Sequence, residues 1–182
     1  MSPIKKAQEK ILFSSGQPMH LQVISSQVTR LDGLVYDTQF VQCGTGKGSV
    51  CVAFDDAGRL LLGKHWRAAL RGESLEFPRG RAMAEESPED CARRELYEET
   101  GLEVQEATLL TKIHGDTGLL RDEVCIVACR VSYPVSSDMG DGEFSSTSWA
   151  SPEEFKRLVL EGCVSDALTI SAFLIWELWK LS

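Results

Sequence analysis

Apolar and polar positions along this chain follow two rhythms, one of two residues and one of three to four. The shorter rhythm marks strands. Met19–Thr29 and Leu34–Cys43 alternate across Leu31-Asp32-Gly33, whose Asp-Gly pair suits a hairpin-type turn. Ser49–Phe54 and Arg59–His65 form a second hairpin through Asp55-Asp56-Ala57-Gly58. Leu75-Glu76-Phe77-Pro78 is a strand end, and Leu109–Ile113 and Val124–Val131 continue the sheet. The longer rhythm begins at Pro88. Ser87 is placed as an N-cap, Pro88 fits the first helical position, and Glu89 and Asp90 favour the positive end of the helix dipole. Ala92 and Leu96 give an apolar stripe, and Gly101 is placed to close the helix in a left-handed conformation. A second helix starts at Ser151-Pro152-Glu153-Glu154, continues through Phe155–Leu160 and stops at Gly162. A third runs from Asp166 to Leu181 and carries Trp176 and Trp179, read as core or subunit contacts. The pattern predicts an α/β fold.

Composition narrows the setting. A chain of 182 residues suggests one domain with a sizeable core. A net charge of −8 argues against a nucleic-acid polymer as partner, since such a surface wants a basic patch. A small anionic substrate stays compatible, because a bound metal and local arginines reverse the local field. The six cysteines form no CxxC pair and no secreted-type framework, which suits reduced core thiols in a cytoplasmic protein. Ile4–Lys10 is charged, with no signal-peptide core, and no apolar run is long enough to span a membrane. Gly44-Thr45-Gly46-Lys47-Gly48 lacks the Lys-Ser/Thr ending of a phosphate-binding loop and is read as a connector. Pro134–Gly142 is a polar loop.

The first predicted helix carries the chemistry. Glu95, Glu98 and Glu99 fall within an arc of roughly 100° on one face. Like charges at this spacing cost about 0.2–0.5 kcal/mol per pair. Most acidic helix faces are simply solvated. Here Arg94 offsets one carboxylate, and a hard, oxygen-seeking cation such as Mg²⁺ would offset the rest. A divalent cation held there would neutralise a phosphoanhydride and lower the pKa of a bound water, while a nearby carboxylate takes the proton. The helix alone thus points to metal-assisted attack of water on a phosphoanhydride.

The spacing around it is more specific. Gly80 is followed after five residues by Glu86, after seven more by Arg94-Glu95-Leu96, then by Glu98-Glu99 and Gly101-Leu102. This reproduces every fixed position of the Nudix signature, and the chain resembles a Nudix hydrolase. The resemblance implies a Nudix-type α/β/α sandwich with a mixed sheet and hydrolysis of a nucleoside diphosphate linked to another moiety. It also implies Glu95, Glu98 and Glu99 as ligands of Mg²⁺ or Mn²⁺, joined by the Arg79 backbone carbonyl. Arg94 then orients Glu98, Glu86 supports the metal site indirectly, and Gly80 and Gly101 shape the motif.

Leu60–Arg67 followed by Leu75-Glu76-Phe77-Pro78-Arg79-Gly80 looks like the ADP-ribose pyrophosphatase branch. That likeness implies Arg67 on the pyrophosphate, Glu76 orienting the substrate or the metal site, Arg79 on the substrate and Trp66 as a base-stacking candidate. It implies that residues 1–46 form an N-terminal β region for dimerisation, with 47–182 as the hydrolase domain and a homodimer as the assembly. It also implies a general base on the loop before the last helices. Glu143 has that position; Asp138, Asp141, Glu123 and Glu153 are rivals. Two departures leave the substrate open. Thr117, in Gly115-Asp116-Thr117-Gly118, stands where that branch carries a proline. Phe-Pro-Arg-Gly is similar to the Phe-Pro-Lys-Gly of dinucleoside polyphosphate hydrolases, yet Leu119 and Leu120 lie where those carry a tyrosine. The alternatives are therefore ADP-ribose or a nucleotide sugar, a dinucleoside polyphosphate, a damaged nucleotide, or a non-catalytic nucleotide-sensing module.

Overall fold

The computed structural model describes residues 9–16, 20–131 and 140–182. Met19, most of Ile4–Lys10, Asp138 and most of the Pro134–Gly142 loop lie outside these residues. In chain order the elements are β1 (Glu9–Ser14), β2 (Leu21–Thr29), β3 (Val35–Cys43), β4 (Lys47–Phe54), β5 (Leu60–Arg67), β6 (Gly72–Glu76) and β7 (Arg79–Arg81). Helix α1 (Pro88–Thr100) follows, then β8 (Val104–Ile113), β9 (Glu123–Val131), β10 (Phe144–Ala150), α2 (Pro152–Leu160) and α3 (Ala167–Trp179).

The chain packs into two compact units. One joins the residues up to Lys47 with a distant segment, His114–Glu123. Its core element is the antiparallel sheet β1-β2-β3. The 114–123 segment adds to β3 through Val41 N–H to Leu119 O at 2.7 Å and Arg121 N–H to Val41 O at 2.8 Å. Arg121 reinforces the join, pairing with Glu9 while its guanidinium stacks 4.2 Å from the Phe40 ring centroid. Thr117 lies in this segment, inside a turn in which Asp116 Oδ1 accepts the N–H groups of Gly118 and Leu119.

The other unit holds a mixed sheet ordered β10-β5-β4-β9-β8, with β6 added on β5 and β7 on β4. Alternation sorts its side chains to two faces. Val50, Val52, Leu60, Leu62, Ile126 and Ala128 pack with Phe155, Phe173 and Trp176 of α2 and α3. Cys51, Ala53, Leu61, Cys125, Val127 and Cys129 pack instead with Ala92 and Leu96 of α1. Helices on both faces make this the α/β/α sandwich that the sequence predicted.

Local caps hold as expected. Ser87 accepts from the Asp90 N–H, Gly101 closes α1 at φ 72°, and Ser151 and Glu154 form a reciprocal capping box. Three strands, β1, β7 and β10, were not anticipated. Strand β8 begins five residues before the expected Leu109, because bulges after Val104 and Leu109 break its period-two pattern. The core-thiol reading holds for Cys51, Cys91, Cys125 and Cys129, whereas Cys163 is exposed and Cys43 half-buried. Trp176 is core, while Trp179 is partly exposed.

Candidate active site

Three features of the second unit converge on α1. The first is a carboxylate cluster organised by Arg94. Its Nε and Nη2 reach both oxygens of Glu86 at 2.8 and 3.0 Å, and its Nη1 reaches Glu95 at 2.8 Å and Glu98 at 2.9 Å. Nη2 also donates to the Arg81 carbonyl at 2.9 Å. The guanidinium is held more firmly charged than usual, chiefly by Glu86. The Arg94 hydrogen bond in turn holds Glu86 below the usual carboxylate range. Arg94 does not reach Glu99. That side chain is buried, its Oε2 has no hydrogen-bond partner, and the carboxylate accepts only the Arg79 backbone N–H. Burial, followed by the charges of Glu95, Glu143 and Asp141, pushes the Glu99 carboxyl up to about 8. Burial also raises Glu95, against the opposing pull of Arg94.

Gly80 shows how tightly this cluster is set. A Cβ added there would overlap the Glu95 carboxylate, so no side chain fits at position 80 while Glu95 holds its place. Among the described residues no set of three carboxylates, histidines or cysteines already encircles a metal position; Arg94 draws Glu95 and Glu98 to itself. The donor set still suits a hard divalent cation, being carboxylate oxygens with one of them buried and partnerless.

The second feature is a charge-matched cluster at the ends of β5 and β6. Arg67 grips Glu76 bidentately, with Nε at 3.0 Å and Nη2 at 2.5 Å. Arg79 bridges Glu76 at 2.8 Å to Asp166 at 3.1 Å. Asp166 caps α3 and accepts from both the N–H and the hydroxyl of Thr169, whose oxygen accepts the Phe77 N–H. Burial pushes Glu76 up, but the Arg67 hydrogen bond and the Arg79 charge outweigh it and hold the carboxyl low.

The third feature is the loop leading into β10. Gly140 lies so close to the last turn of α1 that a Cβ there would overlap the Glu98 carbonyl oxygen. Asp141 N–H donates to that same oxygen at 2.7 Å. Asp141 Oδ1 then accepts the Glu143 N–H at 3.0 Å, and Glu143 Oε2 lies 3.2 Å from His65 Nε2. Glu143 and Asp141 both raise the Glu99 carboxyl through their charge, so both stand by the acidic helix.

Residues 44–168 match the NUDIX domain family. The chain belongs to the Nudix family. An ADP-ribose pyrophosphatase of Bacillus subtilis (strain 168) is 31% identical over 129 residues, 69% of this chain and 69% of that protein. Over 94 residues the chain is 32% identical to the mRNA-decapping enzyme subunit 2 of Arabidopsis thaliana, 52% of this chain and 23% of that protein. Among solved structures, an ADP compounds hydrolase superposes with a TM-score of 0.78 at 20% identity, covering 98% of this chain and 96% of that one, and shares the fold. This Nudix hydrolase therefore carries its signature on α1 and the turn before it.

The structure brings most of the predicted site residues together. Glu86, Arg94, Glu95 and Glu98 share one hydrogen-bonded cluster, and Arg67, Glu76 and Arg79 share the other. Trp66 is largely exposed on β5. Of the rival bases, Asp141 neighbours Glu143, Glu153 sits on the first turn of α2, Glu123 starts β9, and Asp138 is outside the described residues. Sequence reasoning missed His65, Asp166 and Thr169. Asp166 carried a signal, the helix start itself, and His65 stood beside Trp66-Arg67.

Proposed function

We propose that this Nudix hydrolase cleaves the phosphoanhydride of a nucleoside diphosphate linked to another moiety, with ADP-ribose or a nucleotide sugar as substrate and Mg²⁺ or Mn²⁺ as cofactor. The products are a nucleoside monophosphate and a sugar phosphate. The observation that carries this reading is the excess of carboxylates around one arginine, together with a buried Glu99 oxygen that has no hydrogen-bond partner. Glu95, Glu98 and Glu99 would hold the cation, with the Arg79 backbone carbonyl as a further ligand. The cation, when bound, neutralises the anhydride and acidifies the attacking water. Glu143 takes the proton from that water. Arg67, whose bonds to Glu76 use Nε and Nη2, offers Nη1 to an outer phosphate oxygen. Arg79 lies beside it, and Trp66 offers a face to the base. The Bacillus relative supports the ADP-ribose branch, and Thr117 is the departure that keeps nucleotide sugars in the proposal.

Two wider proposals accompany this one. Residues 1–46 form a dimerisation region, supported by the exposed Ile11, Leu12, Phe13, Val35 and Tyr36 on its sheet. The setting is cytoplasmic, supported by four buried thiols; among the described residues no helix is long and apolar enough to cross a membrane.

The test is a screen with Mg²⁺ and with Mn²⁺ over ADP-ribose, nucleotide sugars, diadenosine polyphosphates and oxidised nucleoside triphosphates, run beside Glu99→Gln. Turnover of ADP-ribose or a nucleotide sugar that is lost in Glu99→Gln and without metal is expected. Preferred turnover of either other class reassigns the substrate, and inactivity on all of them, equal in the variant, indicates a binding module. Sedimentation giving a single species of about 20 kDa would overturn the dimer.

A further inference from the structure

Histidine 65 has no part in the signature, yet it makes the only side-chain contact seen for Glu143 among the described residues. Its Nδ1 lies 2.9 Å from the Trp66 carbonyl oxygen. A carbonyl can only accept, so Nδ1 carries a hydrogen. In a neutral ring Nε2 is then a bare lone pair. That lone pair faces Glu143 Oε2 at 3.2 Å, and an ionised carboxylate offers only lone pairs in return. The contact is attractive only if one proton lies between them.

We infer that His65 is a positioning residue for Glu143, holding that carboxylate beside the acidic helix through a single shared proton. The inference rests on the reading of Glu143 as general base. The other groups near Glu143 leave His65 as its partner. Asp141 stands on the same loop, and Glu95 and Glu99 face Glu143 from α1. On β5 and β6, Lys64 is engaged with Glu73 at 3.5 Å, and Arg67, which also feels the Glu143 charge, is engaged with Glu76. Both nearby cations are thus engaged elsewhere, and His65 is the group in hydrogen-bond contact with Glu143.

The ring itself is well fixed. His65 is mostly buried and meets Phe144 edge-on, with centroids 6.0 Å apart. Phe144 is buried in turn, its ring lying where a Cβ on Gly63 would be. Glu143 is the exposed partner, more than half of its side chain open to solvent.

In the charged pair, Oε2 is engaged and Oε1 is available. Water forms the new P–O bond and gives its proton to Oε1. The bridging P–O bond breaks, and its electron pair leaves with the phosphate product. Glu143 then returns the proton to solvent, and the His65 proton is not consumed. Without that proton the two groups would set lone pair against lone pair, and Glu143 would be released to solvent.

The experiment pairs kinetics with NMR. His65→Leu, checked for native melting, should lose about tenfold to a hundredfold in kcat with KM nearly unchanged, as removal of a supporting hydrogen bond does. His65→Gln keeps a donor for the Glu143 carboxylate, so it should restore most of kcat. In a Glu143→Gln background, His65→Leu should add no further loss. In metal-free protein, the NMR resonance of His65 Nε2 should move once Glu143 is Gln, because the contact at 3.2 Å changes. A His65 Nε2 resonance unmoved by Glu143→Gln, or a His65→Leu enzyme with the wild-type kcat, overturns the inference. Wild-type turnover in Glu143→Gln removes the base assignment instead, and the NMR comparison still decides the pairing.

Discussion

The two arginine–carboxylate clusters of the catalytic unit are built from the same groups and differ in their balance. At the ends of β5 and β6, Arg67 and Arg79 face Glu76 and Asp166, two cations against two anions. At α1, Arg94 pairs with Glu86, Glu95 and Glu98, one cation against three anions, and Glu99 lies buried with one oxygen unpartnered. The first cluster is balanced in charge within itself. The second is left short of positive charge, and the shortfall falls on a buried oxygen. On the proposed reading a divalent cation would fill that imbalance, which a charge-matched neighbour in the same unit makes easy to see.

The largest expected effect tests that imbalance directly. Glu99→Gln should lower kcat by about 10²–10⁴, matching the several kcal/mol that a metal contributes to such a transition state. The same substitution should raise the melting temperature of metal-free protein, since it removes a buried carboxylate with no cation beside it. A variant that is fully active, or less stable without metal, would erase the contrast between the clusters.

Arg94→Lys comes next. A single ammonium cannot replace a fork that binds Glu86 twice while reaching Glu95, Glu98 and the Arg81 carbonyl. Metal-free protein should lose about 3–4 kcal/mol in urea unfolding, and added divalent cation should recover part of it. Glu76→Gln strikes the balanced cluster and should lose about 2–4 kcal/mol, with no recovery on adding metal. Because the Glu76 carboxyl is held low when folded, its contribution is present above the unfolded value of about 4.3 and lost as pH falls through the folded one. The acid limb of stability should therefore flatten in Glu76→Gln.

A smaller signal is proton release. With the Glu99 carboxyl pushed up to about 8, metal binding at pH 7 should displace close to one proton, and binding at pH 9 almost none. Calorimetry in buffers of different ionisation heat reads this number, and Glu99→Gln should abolish it. The smallest effect is a control: Arg157→Ala removes an exposed i, i+4 pair with Glu161 and should change stability by less than about 0.5 kcal/mol.

What could be read in the sequence was local. Helix α1, its caps and the face shared by Glu95, Glu98 and Glu99 depend on neighbours within a few residues, so they were legible. What escaped depends on distant partners. His65 meets Glu143 across 78 positions, and Arg79 meets Asp166 across 87. The segment holding Thr117 pairs with β3, which no turn pattern announces. Strand β10 carries four consecutive exposed residues, Ser145–Ser148, so it shows little alternation to recognise.

Gly140 has a mechanical consequence. Its backbone lies against the last turn of α1, and the next N–H is bonded to the carbonyl of Glu98 itself. The loop that presents Glu143 is therefore riveted to the helix that presents the carboxylates. On the proposed reading, this tie sets the gap between Glu143 and the carboxylates of Glu95, Glu98 and Glu99. A single methyl group at position 140 would uncouple the two and leave every charged side chain in the sequence intact.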